Sequence, residues 1–307
     1  MIIPDKIIDV AGLVKKYADL TAVNDISFSV HKGEIFGMVG PNGAGKTTTI
    51  ECIEGLRRPD GGRIRLLDCD PSRGRTTINQ QVGIQLQESA LPPRMRVKEA
   101  LDLFGSFYRE QESSATLLER LGLAEKSSSF FGKLSGGQKQ RLFIALALVN
   151  KPKVVFFDEL TTGLDPQARH SMWNLVRQVR ERGCTVFLTT HFMEEAERLC
   201  DRVLIMDHGR IVALDTPEAL ISQLKGEKRV VFNLAEDIPT PSFQGLGQVT
   251  KVERIGERLV VYGQGERFTS RVVACLEDLG LPLRDMRTEQ PNLEDVFLAL
   301  TGREMRD

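Results

Sequence analysis

The chain has 307 residues, 41% of them hydrophobic and 27% charged, a composition that allows one large globular domain and a small one. Its 41 Lys and Arg nearly balance 42 Asp and Glu. No global field therefore favours nucleic acid or an anionic membrane surface, and an acidic ligand must be held locally. The five cysteines, at 52, 69, 184, 200 and 275, form no C-x-x-C pair and no zinc spacing, so free thiols in a reducing compartment are expected. Met1 to Val10 lacks the pattern of a signal peptide, and the densest apolar run, Leu142 to Val149, is far short of the roughly 20 residues that span a bilayer. A soluble, cytoplasmic protein is expected.

From Ile7 to about Leu224, short β-branched runs alternate with helical stretches, which predicts an α/β domain with a largely parallel sheet. Strands are predicted at Ile26–Val30, Glu34–Val39, Val154–Phe157, Thr185–Thr189 and Arg202–Asp207, several of them apolar on both faces as central strands are. Residues 97–149 show helical periodicity (Ala100, Leu101, Phe104; Leu117, Leu118, Leu121) with a break at Ser127–Ser129, which reads as a helical insertion. After Gly226 the texture changes to strands near 229–233, 249–254 and 259–262, a helix near 268–279, a strand near 283–287 and a helix at 292–300. The expected division is a domain over 1–225 and a small α+β domain over 226–307.

Gly40-Pro41-Asn42-Gly43-Ala44-Gly45-Lys46-Thr47 fits G-x-x-x-x-G-K-S/T, directly after an apolar strand and before a helix-like stretch from Thr48 to Glu54. Glycines there let backbone N–H groups turn inward around phosphates, while the following helix offers them its positive end. The chemistry assigns Lys46 to the β- and γ-phosphates and the Thr47 hydroxyl to Mg²⁺. Val154-Val-Phe-Phe-Asp158-Glu159 is a buried-strand run stopping at two carboxylates, at the edge where open α/β sheets place ligands. Strand alternation is expected to send them apart, Asp158 towards Mg²⁺ and Glu159 towards an attacking water. Leu134-Ser135-Gly136-Gly137-Gln138 reads as a helix start whose free N–H groups and hydroxyl form an anion site, or as an N-capped helix and no more.

Phosphate loop, then LSGGQ, then an apolar strand ending in Asp-Glu, in that order, resembles the ATP-binding cassette of ABC transporters over roughly residues 7–224. The resemblance implies a P-loop NTPase core with a helical insertion, carrying here a small C-terminal α+β domain, and an ATPase using ATP and Mg²⁺. It implies nucleotide contacts from Tyr17 on adenine, from Gly40, Pro41, Asn42, Gly43, Ala44, Gly45, Lys46, Thr47 and Thr48, and from Gln87 and Asp158. Metal ligation falls to Thr47, Gln87 and Asp158, with Gln85 as a competing glutamine two residues earlier. Ser135, Gly136, Gly137 and Gln138 would close on the nucleotide held by a second subunit, and Gly163-Leu164-Asp165 would cross that interface. Catalysis would rest on Glu159, Lys46 and a switch histidine, His191.

The implied partners are a separate transmembrane permease and a second copy or a similar ATPase subunit, with no nucleic acid. The implied location is peripheral, on the inner face of the cell membrane. Pro291-Asn-Leu-Glu-Asp-Val-Phe297 with Leu300-Thr-Gly302 resembles the closing segment of daunorubicin-resistance-type drug exporters, and any docking helix would share its apolar face. Two positions depart from the common pattern: Leu160 where proline is frequent, and Arg96 where threonine is. The first is expected to loosen the turn after Glu159 and the second to alter partner contact. A soluble ABC factor acting on ribosomes or DNA, and a regulatory nucleotide-binding module, are the alternatives weighed.

Overall fold

A computed structural model describes residues 5–85, 90–224, 228–235, 238–243, 245–281 and 284–302. Strands β1 (Lys6–Tyr17) and β2 (Leu20–His31) form an antiparallel hairpin, and β3 (Ile35–Val39), buried along its whole length, runs through the Gly-rich loop into α1 (Lys46–Ile53). Strand β4 (Gly61–Leu66) returns to pair with β1, followed by α2 (Arg75–Asn79) and β5 (Val82–Gln85). The insertion holds α3 (Val97–Gly105), α4 (Ser114–Arg120) and α5 (Gly136–Leu148), with single 3-10 turns at Ala124–Lys126 and Phe131–Lys133 flanking the serine break. Helix α3 buries Val97, Ala100 and Leu101, the i, i+3, i+4 stripe that its sequence announces. Then come β6 (Val154–Asp158), α6 (Pro166–Glu181), β7 (Thr185–Thr190), α7 (Met193–Leu199), β8 (Arg202–Asp207), β9 (Arg210–Asp215) and α8 (Pro217–Ser222).

Two sheets build the first unit. The six-stranded sheet has the order β5-β6-β7-β3-β8-β9, parallel except for β9, and a separate antiparallel sheet has the order β2-β1-β4. Strands β3, β6 and β7 are buried along their whole length, as central strands covered on both faces are. Phe187 is fully buried, with ring centroids 5.4 Å from Phe36, 5.5 Å from Phe156 and 6.4 Å from Phe28. This aromatic cluster lies in the core that joins the two sheets.

The order β6-β7-β3 decides where chemistry sits. Asp158 pairs with Thr189, and Val39 with Thr190, so the C-terminal ends of three strands distant in sequence finish side by side. Parallel sheets gather loops from one end in this way.

The chain divides into two compact units, the second beginning at Glu218. In it, β10 (Lys228–Asn233), β11 (Val249–Ile255), β12 (Arg258–Gly263), α9 (Phe268–Asp278), β13 (Arg284–Glu289) and α10 (Leu293–Thr301) follow one another. Its antiparallel sheet, ordered β11-β12-β10-β13, packs Phe232, Leu259 and Val261 against Phe268, Val272 and Leu276 of α9. Helix α10 starts on a capping box between Asn292 and Asp295, and Asp295 also meets Arg229 at 2.5 Å.

Candidate active site

The phosphate loop is built by close approach. Gly45 has φ of 103° and a Cβ there would lie 2.4 Å from the Ala22 carbonyl; at Gly40 it would lie 2.2 Å from the Met206 carbonyl. No larger residue fits either place without moving backbone. The helix begins at Lys46, two residues before the predicted start, so Lys46 and Thr47 sit in its first turn. Lys46 is 4% exposed, and its Nζ donates to the carbonyls of Gly40 (2.8 Å) and Pro41 (3.2 Å). Burial lowers its pKa, against the opposing pull of Glu159 and Asp158. A cavity of about 320 Å³ opens between this loop and Tyr17, lined also by Asn42, Gly43, Gly45, Lys46, Thr47, Thr48 and Glu159. Tyr17 is 36% exposed, with Lys15 Nζ and the Arg57 guanidinium 5.4 and 5.5 Å from its ring centre.

The two carboxylates part for a reason other than strand alternation. β6 ends at Asp158, and Glu159 has φ of 52°, a left-handed turn that redirects its side chain. Glu159 N donates to the Thr189 carbonyl at 3.1 Å and to Thr189 Oγ1 at 3.2 Å, and the Thr162 hydroxyl donates to Glu159 Oε2 at 3.3 Å. Lys46 Nζ and His191 Nδ1 converge on the same Glu159 Oε1, at 3.8 and 3.5 Å. Asp158 receives the Thr189 hydroxyl on Oδ1 and has the Thr47 hydroxyl beside it; burial raises its pKa. Leu160, the next residue in the chain, is buried at 3% exposure.

Asp158 and Thr47 are adjacent hard oxygen donors, too few to enclose a cation, which suits an ion that keeps water and phosphate among its ligands. Among the described residues no cluster of three His, Cys, Asp or Glu is placed to hold a metal. The two oxygen donors, Asp158 and Thr47, fit Mg²⁺ as residues that would hold it. Gln87, expected as a third ligand, lies outside the described residues; Gln85 ends β5 and is buried.

Ser135 to Gln138 do not line the cavity. Ser135 caps α5: its hydroxyl accepts from Gln138 N at 3.3 Å, while Gln138 Oε1 accepts from Ser135 N at 3.0 Å. The capping box folds the Gln138 amide back on the backbone and leaves Gly136 bare, with nothing within 4 Å of a methyl added there. In the Gly163-Leu164-Asp165 segment, Asp165 caps α6 by accepting from Ala168 N at 2.8 Å. Arg96 spends its side chain internally, donating to the Ser128 carbonyl and stacking 4.7 Å from the Phe130 ring centre.

Sequence reasoning missed Thr189 and Thr162, whose hydroxyls position the carboxylates. For Thr189, a Thr-Thr pair closing β7 was the available signal. It also missed two buried acids, Glu54 at the C-terminal cap of α1 and Glu195 on α7.

Residues 23–162 match the family model described as ABC transporter, and residues 131–194 also match one described as AAA domain, putative AbiEii toxin, Type IV TA system. The chain is 44% identical to the Nod factor export ATP-binding protein I of Burkholderia orbicola over 98% of both chains, and 42% identical to that of Bradyrhizobium diazoefficiens over 97% of both. The relatives thus carry an export name, and not specifically that of the daunorubicin-resistance type. Among solved structures, an ATP-binding subunit of an ABC transporter superposes with TM-score 0.65 at 30% identity, over 71% of this chain and 93% of that one. An ATP-binding cassette in its ADP conformation does so with TM-score 0.63 at 26%, over 70% and 92%. Full-length identity to curated relatives and the cassette fold together establish that the chain belongs to the ABC transporter family, as an ATP-binding and ATP-hydrolysing subunit.

Proposed function

We propose that this ATPase powers export through a separate transmembrane permease, as one of two cassettes that close around two ATP molecules. The observation that carries the residue assignment is the convergence of Lys46 and His191 on one oxygen of Glu159, at the wall of the phosphate-loop cavity. Glu159 accepts a proton from the attacking water. Lys46 leaves the loop carbonyls for the β- and γ-phosphate oxygens, and His191 steadies the charge spreading on the γ-phosphoryl group. Tyr17 stacks on adenine, and residues 40–48 supply N–H groups to the phosphates. Thr47, Asp158 and Gln87 would hold Mg²⁺, which when bound would neutralise charge on the phosphate oxygens. Ser135 to Gln138 face the nucleotide of the opposite cassette, with residues 163–165 crossing the interface.

Export is supported by the relatives, which are Nod factor export ATP-binding proteins by name. The drug-exporter likeness of residues 291–302 gives a second cargo class, and transport assays on the chain with its permease decide between them. Among the described residues no helix is long and apolar enough to cross a membrane, so the proposal places the chain peripherally on the inner face, held by the permease. Glu159→Gln tests the core of this reading: the amide keeps the shape and cannot take the proton, so ATP binding persists and turnover stops. Turnover near that of the wild type would remove Glu159 from the base role.

A further inference from the structure

Outside the cavity, Glu195 is the buried acid with the most telling neighbours. It lies in the first turn of α7, four residues after His191, and is 2% exposed. A carboxyl so enclosed destabilises the fold unless its partners hold it. Trp173 of α6, equally buried, donates its indole N–H to Glu195 Oε1 at 2.9 Å. The hydroxyls of Thr190 and Thr161 stand beside the same carboxyl, that of Thr161 outside hydrogen-bonding geometry. Thr190 precedes His191 and accepts from Phe192 N at 3.0 Å; Thr161 follows Glu159 by two residues.

This joint is the centre of a longer seam. Arg169, Trp173, Arg177 and Arg180 occupy one face of α6. Arg169 stacks 4.1 Å from the Phe192 ring centre, Arg177 donates to the Arg198 carbonyl at 2.9 Å, and Arg180 pairs with Asp201 at 3.2 Å. Asp165 caps the N-terminus of the same helix. One rigid element therefore runs from the 163–165 segment to the turn that carries His191.

We propose that Glu195 is a positioning residue for ATP hydrolysis: through Trp173 and the Thr190 hydroxyl it ties α6 to the His191 turn and so holds His191 at its approach to Glu159. The inference rests on Glu159 acting as the base.

The full-length chain is assayed as Trp173→Phe, which keeps the ring and loses the donor, as Glu195→Ala, and as Glu195→Gln, which keeps an acceptor. Loss of the hydrogen bond lowers kcat for Trp173→Phe by about 3- to 10-fold with little change in KM for ATP, and Glu195→Ala by at least as much. Glu195→Gln retains most of the rate. Trp173 is the chain's one tryptophan, so its emission reports the joint: binding of ATP to the Glu159→Gln background shifts it, and Glu195→Ala abolishes that shift. A Trp173→Phe kcat within about twofold of wild type overturns the inference, even if Glu195→Ala merely fails to fold. Lowered melting temperatures with unchanged kcat overturn it likewise. If Glu159→Gln itself turns over, the base assignment has failed; if that variant is dead while Trp173→Phe is unaffected, only the positioning role has.

Discussion

Replacing Glu54 by glutamine should change how stability depends on pH. Glu54 follows the last turn of α1 and is 5% exposed, with Oε2 enclosed and without a hydrogen-bond partner. Burial, reinforced by the charges of Asp158 and Glu51, pushes its carboxyl from the ordinary 4.5 up to about 8. The folded chain therefore holds a proton that the unfolded chain releases between those two values. For an acid raised in this way, the stabilising contribution is complete below pH 4.5 and declines as pH rises towards 8. The decline is about 1.4 kcal/mol per pH unit, hence about 3 kcal/mol at pH 7, and it levels off above the folded pKa. A neutral amide is indifferent to pH. Chemical denaturation of wild type and Glu54→Gln between pH 5 and 8, followed by the emission of Trp173, should show the variant gaining about 3 kcal/mol relative to wild type across the range. Parallel stability profiles would refute the reasoning, since they would mean that Glu54 ionises as freely in the folded state as in the unfolded one.

Tyr17→Ala should weaken ATP binding by about 1–3 kcal/mol, the worth of one stacked base, and an unchanged dissociation constant by calorimetry would remove Tyr17 from the adenine site. Lys46→Ala should weaken binding through the phosphates, so its effect should persist with inorganic triphosphate as ligand, where that of Tyr17→Ala should vanish. A heterodimer of Ser135→Arg and Lys46→Ala chains should keep partial ATPase activity, because closure in trans gathers both lesions into one site; a dead heterodimer that still dimerises with ATP counts against the shared site. Phe187→Ala should cost about 3–5 kcal/mol, as truncation of a fully buried ring does. A loss below about 1 kcal/mol in denaturant titrations would show that the aromatic cluster does not carry the core.

The residues of the site were legible because their signals are local. A glycine spacing, a strand stopping at two acids and a capped helix start are each written within ten residues, and β3, β6 and β7 announced themselves by their apolar runs, at 35–39, 154–157 and 186–188. What sequence could not supply was pairing at a distance. Strand β1 joins β2 and β4 in a sheet that was not foreseen, partly because its register shifts between Val10 and Leu13, around Gly12 at φ of 62°, and breaks the alternation that marks a strand. The positive φ of Glu159 was equally hidden, although it, and not alternation along β6, separates Glu159 from Asp158. The capping box was likewise hidden: Gln138 Oε1 accepts from Ser135 N, which leaves the amide N–H2 as the group that can reach a ligand.

The glycines of the two anion-binding segments answer to different needs. At Gly40 and Gly45 a side chain would strike backbone of this same chain, so packing within one molecule dictates them. At Gly136 an added methyl meets nothing within 4 Å, and the residue lies in the first turn of α5, where alanine would serve the helix better by about 0.5–1 kcal/mol. The capping of Ser135 does not require it either, since the bond runs from Gln138 N to the hydroxyl. A bare, destabilising position with no internal cause is what a surface shows when something outside the chain must approach its backbone closely. In the closed arrangement proposed here, that something is the γ-phosphate held by the opposite cassette, which would place the reason for Gly136 in the partner's phosphate loop.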